Sequence, residues 1–229
     1  VAFRESLFWD GRSASLEEQA LLPIVHEDEM GHPTLGAALD AVAAVDAYRP
    51  LFAAAFGDET VTSERNADAQ AAFQRTMISS WAPYDRYVAG DAGALDEESV
   101  EGMFAFGELG CADCHTPPLF ERERYAARVS TEDPGRGAVT AKTEDVGAFR
   151  VPTLRNVRET GPFFHDGRTA TLDEAVRIEV ENQGGDAAAV RAIATFLRKG
   201  LTDRSQEPDR PESVPSGLEV PPDGFRIPR

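Results

Sequence analysis

Cysteine is nearly missing from this chain of 229 residues: two occur, three positions apart. Lysine is equally scarce, represented by Lys142 and Lys199 alone. With so few amines, 23 basic residues face 40 acidic ones and the formal net charge is −17. A surface of that sign disfavours nucleic acid and anionic membranes, and suits a basic partner or plain solubility. No apolar run approaches the roughly 20 residues that a membrane helix needs. No secretory leader opens the sequence, yet Val1 is not an initiator, so a preceding N-terminal portion is expected. Strand signals are few and no internal repeat stands out, which leaves a mostly α fold. The length allows one large or two small domains, with material for a core.

What is present is concentrated in one pentapeptide, Cys111-Ala112-Asp113-Cys114-His115. Two thiols at that spacing can add to the two vinyl groups of one haem, and the adjacent imidazole then falls over the iron as proximal ligand. A thiol–disulfide exchange motif would want a βαβ setting, whereas these cysteines follow a helical pattern and precede Thr116-Pro117-Pro118. A structural zinc site would need a fourth ligand, and no second Cys/His cluster exists. The pentapeptide therefore reads as attachment of one haem c through Cys111 and Cys114, with His115 on the iron. Such attachment normally happens outside the cytoplasm, so a periplasmic or otherwise exported setting is expected.

Ser15-Leu16-Glu17-Glu18 has the form of a capping box opening the first helix. A second helical stretch is predicted over 34–56, broken near Arg49-Pro50, and a third over 63–80. Pro83 and then Gly90-Asp91-Ala92-Gly93 punctuate the chain like a domain boundary. Asp96 caps a fourth helix whose stripe of Val100, Met103, Phe104 and Gly107 leads to the cysteines. Met103 on that stripe reads as core rather than as a thioether ligand. Residues 116–148 show no periodicity and read as loop. Thr171-Leu172-Asp173-Glu174 is another capping box, with a helix to about Asn182, and Asp186 caps the last helix, which Gly200 stops. The last 24 residues hold six prolines and no pattern, as an extended tail would. A helix, a CxxCH, a long loop and a closing helix are what a small cytochrome c domain uses to wrap its haem.

Several blocks together resemble the bacterial dihaem cytochrome c peroxidase and MauG family. They are Leu7-Phe8-Trp9-Asp10-Gly11-Arg12, Ser15-Leu16-Glu17-Glu18-Gln19-Ala20, Glu29-Met30-Gly31 and Pro83-Tyr84-Asp85-Arg86-Tyr87. After the CxxCH come Phe149-Arg150-Val151-Pro152-Thr153-Leu154-Arg155-Asn156-Val157 and Gly161-Pro162-Phe163-Phe164-His165-Asp166-Gly167-Arg168, then Thr171-Leu172-Asp173-Glu174-Ala175-Val176. The resemblance covers nearly the whole chain. It implies two cytochrome c-like domains, the N-terminal one carrying a peroxidatic haem and the C-terminal one a haem that feeds it electrons. The CxxCH here corresponds to the second haem, and the attachment site of a first haem would lie upstream of Val1. The expected organisation is then a partial N-terminal domain over 1–92 lacking its own CxxCH, a haem domain over 93–205 and a Pro-rich tail over 206–229. The implied activity is reduction of H2O2 to water, with a small redox protein (a cytochrome c or cupredoxin) as electron donor. Two alternatives stay open, a MauG-like oxidation of a partner protein's aromatic residues and a single-haem electron carrier without catalysis. A homodimer is a further option.

The same resemblance assigns roles residue by residue. Trp9 resembles the tryptophan between the two haems, where a π-system can relay an electron; the bland alternative is a core aromatic near a turn. Glu29 resembles the distal carboxylate that takes a proton from one peroxide oxygen and returns it to the other, with Gln19 lining the same pocket. Otherwise His26-Glu27-Asp28-Glu29 is a solvated charge run. Glu179 shares a helix face with Leu172, Ala175, Val176 and Val180, and a carboxylate on an apolar stripe is costly unless paired. The family pattern has Met or Tyr there as sixth ligand of the second haem, so Glu179 is read as an iron ligand or as facing an open site. The bland alternative pairs it with Arg177 or Arg155. His165 resembles a group near the haems and is a backup ligand candidate, against a hydrogen-bonded loop histidine. Arg155 and Arg150 are candidate partners of haem propionates, or surface charges. The backbone carbonyls of Thr160 and Pro162 match a calcium site between the domains.

Overall fold

The computed structural model describes residues 2–127, 132–205 and 211–220. By packing, these residues divide into two compact units, one of 2–78 with 211–220 and the other of 79–205. In both, helix dominates.

The first unit holds α1 (Leu16–Val25), α2 (Leu35–Ala43), α3 (Arg49–Phe56) and α4 (Ser63–Thr76). Ser15 caps α1 by accepting from the Glu18 N–H at 3.1 Å. The Glu18 carboxylate reaches one residue further back than a capping box requires and accepts from the Ala14 N–H at 2.8 Å. The stretch predicted over 34–56 is two helices. It breaks at Ala44 and Val45, and Pro50 instead lies in the first turn of α3, where a missing N–H costs nothing. α1 packs against α4 over a lean core in which Leu7, Leu16 and Ala71 form the buried cluster.

The second unit contains α5 (Pro83–Val88), α6 (Glu97–Glu108), β1 (Tyr125–Ala126), α7 (Arg136–Thr140), β2 (Phe149–Arg150), α8 (Leu172–Asn182) and α9 (Ala187–Thr195). A π-helical turn, Phe196–Gly200, continues α9. The stretch 116–148 is thus less irregular than its composition suggests, since β1 pairs antiparallel with β2 and α7 lies between them. α6 and α9 cross so closely that a Cβ on Gly102 would lie 2.0 Å from the Ala192 carbonyl oxygen. A side chain there would push the helices apart. α8 packs on α9, and the core gathers Phe106, Phe120, Val176, Val180, Ile193 and Phe196.

The punctuation at Gly90-Asp91-Ala92-Gly93 falls inside this second unit, and the packing boundary lies earlier, after Ile78. The reason is polar. The Asp203 carboxylate accepts from the N–H groups of Ser80 and Trp81, both at 2.8 Å, and Asp85 on α5 forms an ion pair with Arg155 at 2.6 Å. The capping box expected at Thr171 is half made. Thr171 accepts from the Glu174 N–H, but the Glu174 carboxylate turns to Arg177, one turn along.

An internal repeat is present after all, between residues 7–20 and 163–176. Phe8, Asp10, Gly11, Arg12, Ala14, Leu16 and Glu18 recur as Phe164, Asp166, Gly167, Arg168, Ala170, Leu172 and Glu174. The local geometry recurs with them. Phe8 and Phe164 have φ of 66° and 67°, and Gly11 and Gly167 have 71° and 67°. Leu7 bridges Ser13 as Phe163 bridges Thr169. Asp10 pairs with Arg12 as Asp166 pairs with Arg168, and a hydroxyl cap then opens α1 or α8. The repeat escaped notice because it is one turn and one helix start long, with Trp9 facing His165 in the alignment.

Candidate functional site

α6 delivers the chain to the cysteines. Gly110 ends it in the left-handed conformation at φ 75°, which a glycine adopts without steric penalty, and a 3-10 turn over Cys111–Asp113 follows. Cys111 and Cys114 are half-buried and not joined by a disulfide. Arg122 donates to the Asp113 carbonyl at 2.9 Å, tying the loop that follows to the turn.

The imidazole of His115 is oriented by two backbone carbonyls. Its Nδ1 lies 3.0 Å from the Pro152 oxygen and 3.2 Å from the Phe120 oxygen. Carbonyl oxygens only accept, so Nδ1 must carry the hydrogen and the neutral ring keeps its lone pair on Nε2. Metal-bound histidines are held by this kind of contact, which fixes the tautomer and raises ligand basicity. Neither carbonyl was signalled by the sequence, because a backbone acceptor leaves no residue-type mark. Phe120 reaches its position with φ of 52°, an uncommon conformation for a bulky residue, while its ring is 1% exposed. That ring meets Tyr84, Phe106 and Phe196 edge-on, with centroids 4.8 to 6.1 Å away, and Phe106 lies 6.5 Å from the His115 ring. Burial, and then the Asp85 charge, push the Tyr84 hydroxyl above its ordinary range, so it stays protonated.

Arg155 is buried rather than on the surface. Its guanidinium grips Asp85 through both Nη atoms, at 2.8 and 2.6 Å, and its Nε donates to the Pro118 carbonyl at 2.7 Å. Of its five N–H donors, those contacts use three. Arg150 is buried too, in β2. The His165 ring stacks on Phe149 at 3.6 Å and 10°, and its Nε2 is buried with no hydrogen-bond partner among the described residues. Glu179 is half-buried on α8, between the buried Val176 and Val180. Both arginines proposed as its partners are engaged elsewhere, Arg155 by Asp85 and Arg177 by Glu174 and Glu181.

Trp9, Gln19 and Glu29 belong to the first unit and are strung along α1. Trp9 precedes it and is 38% exposed, Gln19 lies half-buried within it, and exposed Glu29 lies in the turn after it. Ten helical residues span about 15 Å, so Trp9 and Glu29 flank opposite ends of this helix. Thr160 and Pro162 are both exposed, and the Thr160 hydroxyl donates to the Val157 carbonyl at 3.0 Å. Among the described residues, no group of three or more His, Cys, Asp or Glu side chains could hold a metal ion. Any calcium would rest on backbone carbonyls. No helix among the described residues is long and apolar enough to cross a membrane.

Known proteins resemble this chain throughout. Residues 1–93 match the family described as di-haem cytochrome c peroxidase. The cytochrome c551 peroxidase of Nitrosomonas europaea is 36% identical over 93% of this chain and 66% of its own length. The methylamine utilization protein MauG of Methylophilus methylotrophus is also 36% identical, over 77% of this chain and 54% of its own. The chain thus spans between half and two thirds of the length of these curated relatives. A solved structure of a MauG-like protein associated with microbial copper homeostasis shares the fold with a TM-score of 0.73 at 26% identity, over 88% of this chain and 73% of that one. The diheme peroxidase BthA from Burkholderia thailandensis matches in fold at a TM-score of 0.71 and 22% identity, over 95% of this chain and 70% of that one. With a mostly α, cytochrome c-like fold and a haem-attachment motif behind an oriented histidine, this chain belongs to the di-haem cytochrome c peroxidase and MauG family.

Proposed function

We propose that this chain is the electron-accepting portion of a peroxidase that reduces H2O2 with two electrons and two protons to two waters. The observation that carries the reading is the paired carbonyl contact on His115 Nδ1, directly after two unbridged cysteines. Those residues fit a haem c: Cys111 and Cys114 would hold it by thioethers and His115 Nε2 would bind its iron. A bound haem supplies a one-electron iron couple, which the chain itself lacks.

The chain's own residues have the remaining tasks. The Phe120 and Pro152 carbonyls keep the imidazole in its ligating tautomer. Glu179, half-buried on α8 at the position where the family pattern has Met or Tyr, is the proposed sixth ligand. Arg155 offers its remaining N–H donors to a propionate. The buried Nε2 of His165 calls for a partner outside the described polypeptide, since an unsatisfied buried nitrogen is costly, and a haem propionate would supply one. In the first unit, Trp9 is the proposed electron relay. Glu29 would move the proton between peroxide oxygens, with Gln19 lining the pocket. Thr160 and Pro162 carbonyls are the proposed calcium ligands. The repeat supports a second haem domain, because α1 and α4 then correspond to α8 and α9, the half of the unit that follows the attachment turn. In that correspondence Pro23 stands where α8 carries Glu179, so α1 offers no ligand at the equivalent place.

The relatives named MauG favour a second reading, oxidation of aromatic side chains on a partner protein. Native mass together with a pyridine haemochrome count gives the haems per polypeptide. Peroxide-dependent oxidation of reduced cytochrome c or cupredoxin then separates the readings. Turnover supports the peroxidase. A covalent haem on Cys111 and Cys114 without peroxide turnover leaves the MauG-like activity or a plain carrier, and loss of haem on acid–acetone extraction overturns the site itself. An exported location belongs to this proposal, because it is where haem c is attached.

A further inference from the structure

We propose that the outward face of α6 is the docking surface for the electron donor, and that the donor is a small redox protein whose prosthetic-group edge is ringed by lysine. The proposal rests on the reading that the haem on His115 takes electrons from an external protein. Glu97, Glu101, Phe104 and Glu108 follow one another at spacings of four, three and four. At about 100° per residue they fall within about 60° of one another on the helix circumference. Ser99, Gly102 and Phe106 lie on the opposite side, are buried, and pack towards α9. The stripe is exposed along its length, and Phe104 at its centre is 61% exposed. The helix leads to the CxxCH turn, where Asp113 is also exposed. Electrons delivered to this face arrive at the segment that attaches the haem.

Helix stability does not account for these charges. Glu97 in the first turn complements the helix dipole, but Glu101 repels it from one turn on. Glu108 lies at the negative end of the dipole, and no basic residue shares that last turn. Among the described residues none of the three takes part in an ion pair, whereas Glu174 and Glu181 on α8 are both bridged by Arg177. Unmatched carboxylates around an exposed aromatic have the form of an interface, with an apolar centre and a charged rim. Opposite charge on the partner would match the rim and steer encounter. One exposed phenylalanine alone would mean little. The combination, on the helix that carries the cysteines, makes the surface.

The test is stopped-flow electron transfer between the holoprotein haem and a lysine-rich mitochondrial cytochrome c, started from whichever partner is the stronger reductant, over a range of ionic strength. Wild type is expected to react fast at low salt and slow steeply as salt is added. The triple variant Glu97→Gln/Glu101→Gln/Glu108→Gln is expected to lose roughly tenfold in bimolecular rate at low salt and most of the salt dependence. Phe104→Ala is expected to slow the reaction at every salt concentration and leave the slope unchanged. Glu27→Gln/Glu59→Gln/Glu144→Gln changes net charge equally and is expected to stay near wild type. Dithionite reduction and the visible spectrum report that each variant is folded and loaded. If the α6 triple variant matches wild type, or an acidic plastocyanin exchanges electrons with the haem faster than the cytochrome, the docking face falls. It also falls if the α6 variants change sedimenting mass instead of rate, because a second copy then covers the stripe. If dithionite reduces the wild-type haem but neither protein exchanges electrons with it, the electron-entry reading falls as well.

Discussion

Asp85 and Arg155 show how a block that resembles a known family can carry structure instead of surface chemistry. The Arg155 side chain is 7% exposed, and Asp85 is its charge partner. Removing the carboxylate leaves a buried cation, so Asp85→Ala should cost about 3–5 kcal/mol in urea unfolding. A cost below about 1 kcal/mol would mean that water or another group replaces the partner. Glu179 lies at the opposite extreme, a carboxylate whose role depends on the haem. An anionic oxygen ligand stabilises ferric iron and thioether ligation raises the potential, so Glu179→Met should move the potential up within the roughly 0.8 V that axial ligands span. An unchanged spectrum and potential in Glu179→Gln would remove the residue from the iron. Glu179 could be picked out because an acid interrupts an apolar stripe. The carbonyls of Phe120 and Pro152 could not, since backbone geometry set by the fold places them.

Asp96 joins two helices of the second unit. It accepts from the Ser99 N–H at 2.8 Å, capping α6, and from Lys199 at 2.6 Å in the turn after α9. The Lys199 ammonium first, and the Ser99 contacts next, hold its carboxyl down from 3.8 to about 2. A depressed folded pKa contributes stability that is full above the unfolded value and is lost as pH falls through the folded one. Asp96→Ala should therefore destabilise by ~1 kcal/mol at neutral pH, as lost N-caps do, and the gap from wild type should narrow between about pH 4 and pH 2. Both side chains are about half exposed, so screening keeps the Lys199 share small and most of the effect is the cap. Thermal melts of the pair across that range would show it; a gap constant with pH would assign the loss to helix propensity. Caps such as Asp96, Ser15, Thr171 and Asp186 were legible because the hydroxyl or carboxylate precedes its helix at a fixed spacing. The break at Ala44 and the short β1–β2 pair were not, since alanine fits either state and two-residue strands have no period to detect.

The two units differ in how well they can hold themselves together. The repeated turn and helix start give each the same local frame, yet the cores built on it are unequal. In the first unit the buried cluster is Leu7, Leu16 and Ala71, and besides Ile24 and Phe52 the other buried residues of its helices are Ala20, Ala38 and Ala67, which each remove little apolar surface from water. In the second unit Phe106, Phe120, Phe196, Leu197 and Leu201 are all nearly inaccessible and mutually packed. Leu51, Phe73, Met30 and Met77 of the first unit remain exposed. The sequence hints at this imbalance, since α4 is polar with Phe73 as its one large apolar residue whereas α9 carries Val190 and Ile193, but which of these become buried is set by the packing. Local stability follows buried apolar contact density. Native-state hydrogen exchange on the haem-loaded chain should therefore find the amides of α1 and α4 opening about 2 kcal/mol or more below those of α6 and α9. The second unit should keep its protection in denaturant that has already released the first, and in a Trp81→Phe variant the fluorescence melt of Trp9 should precede the change in haem absorbance. Equal protection in both units, with one concerted transition, would mean that the first unit draws on stabilising contacts beyond its own lean core.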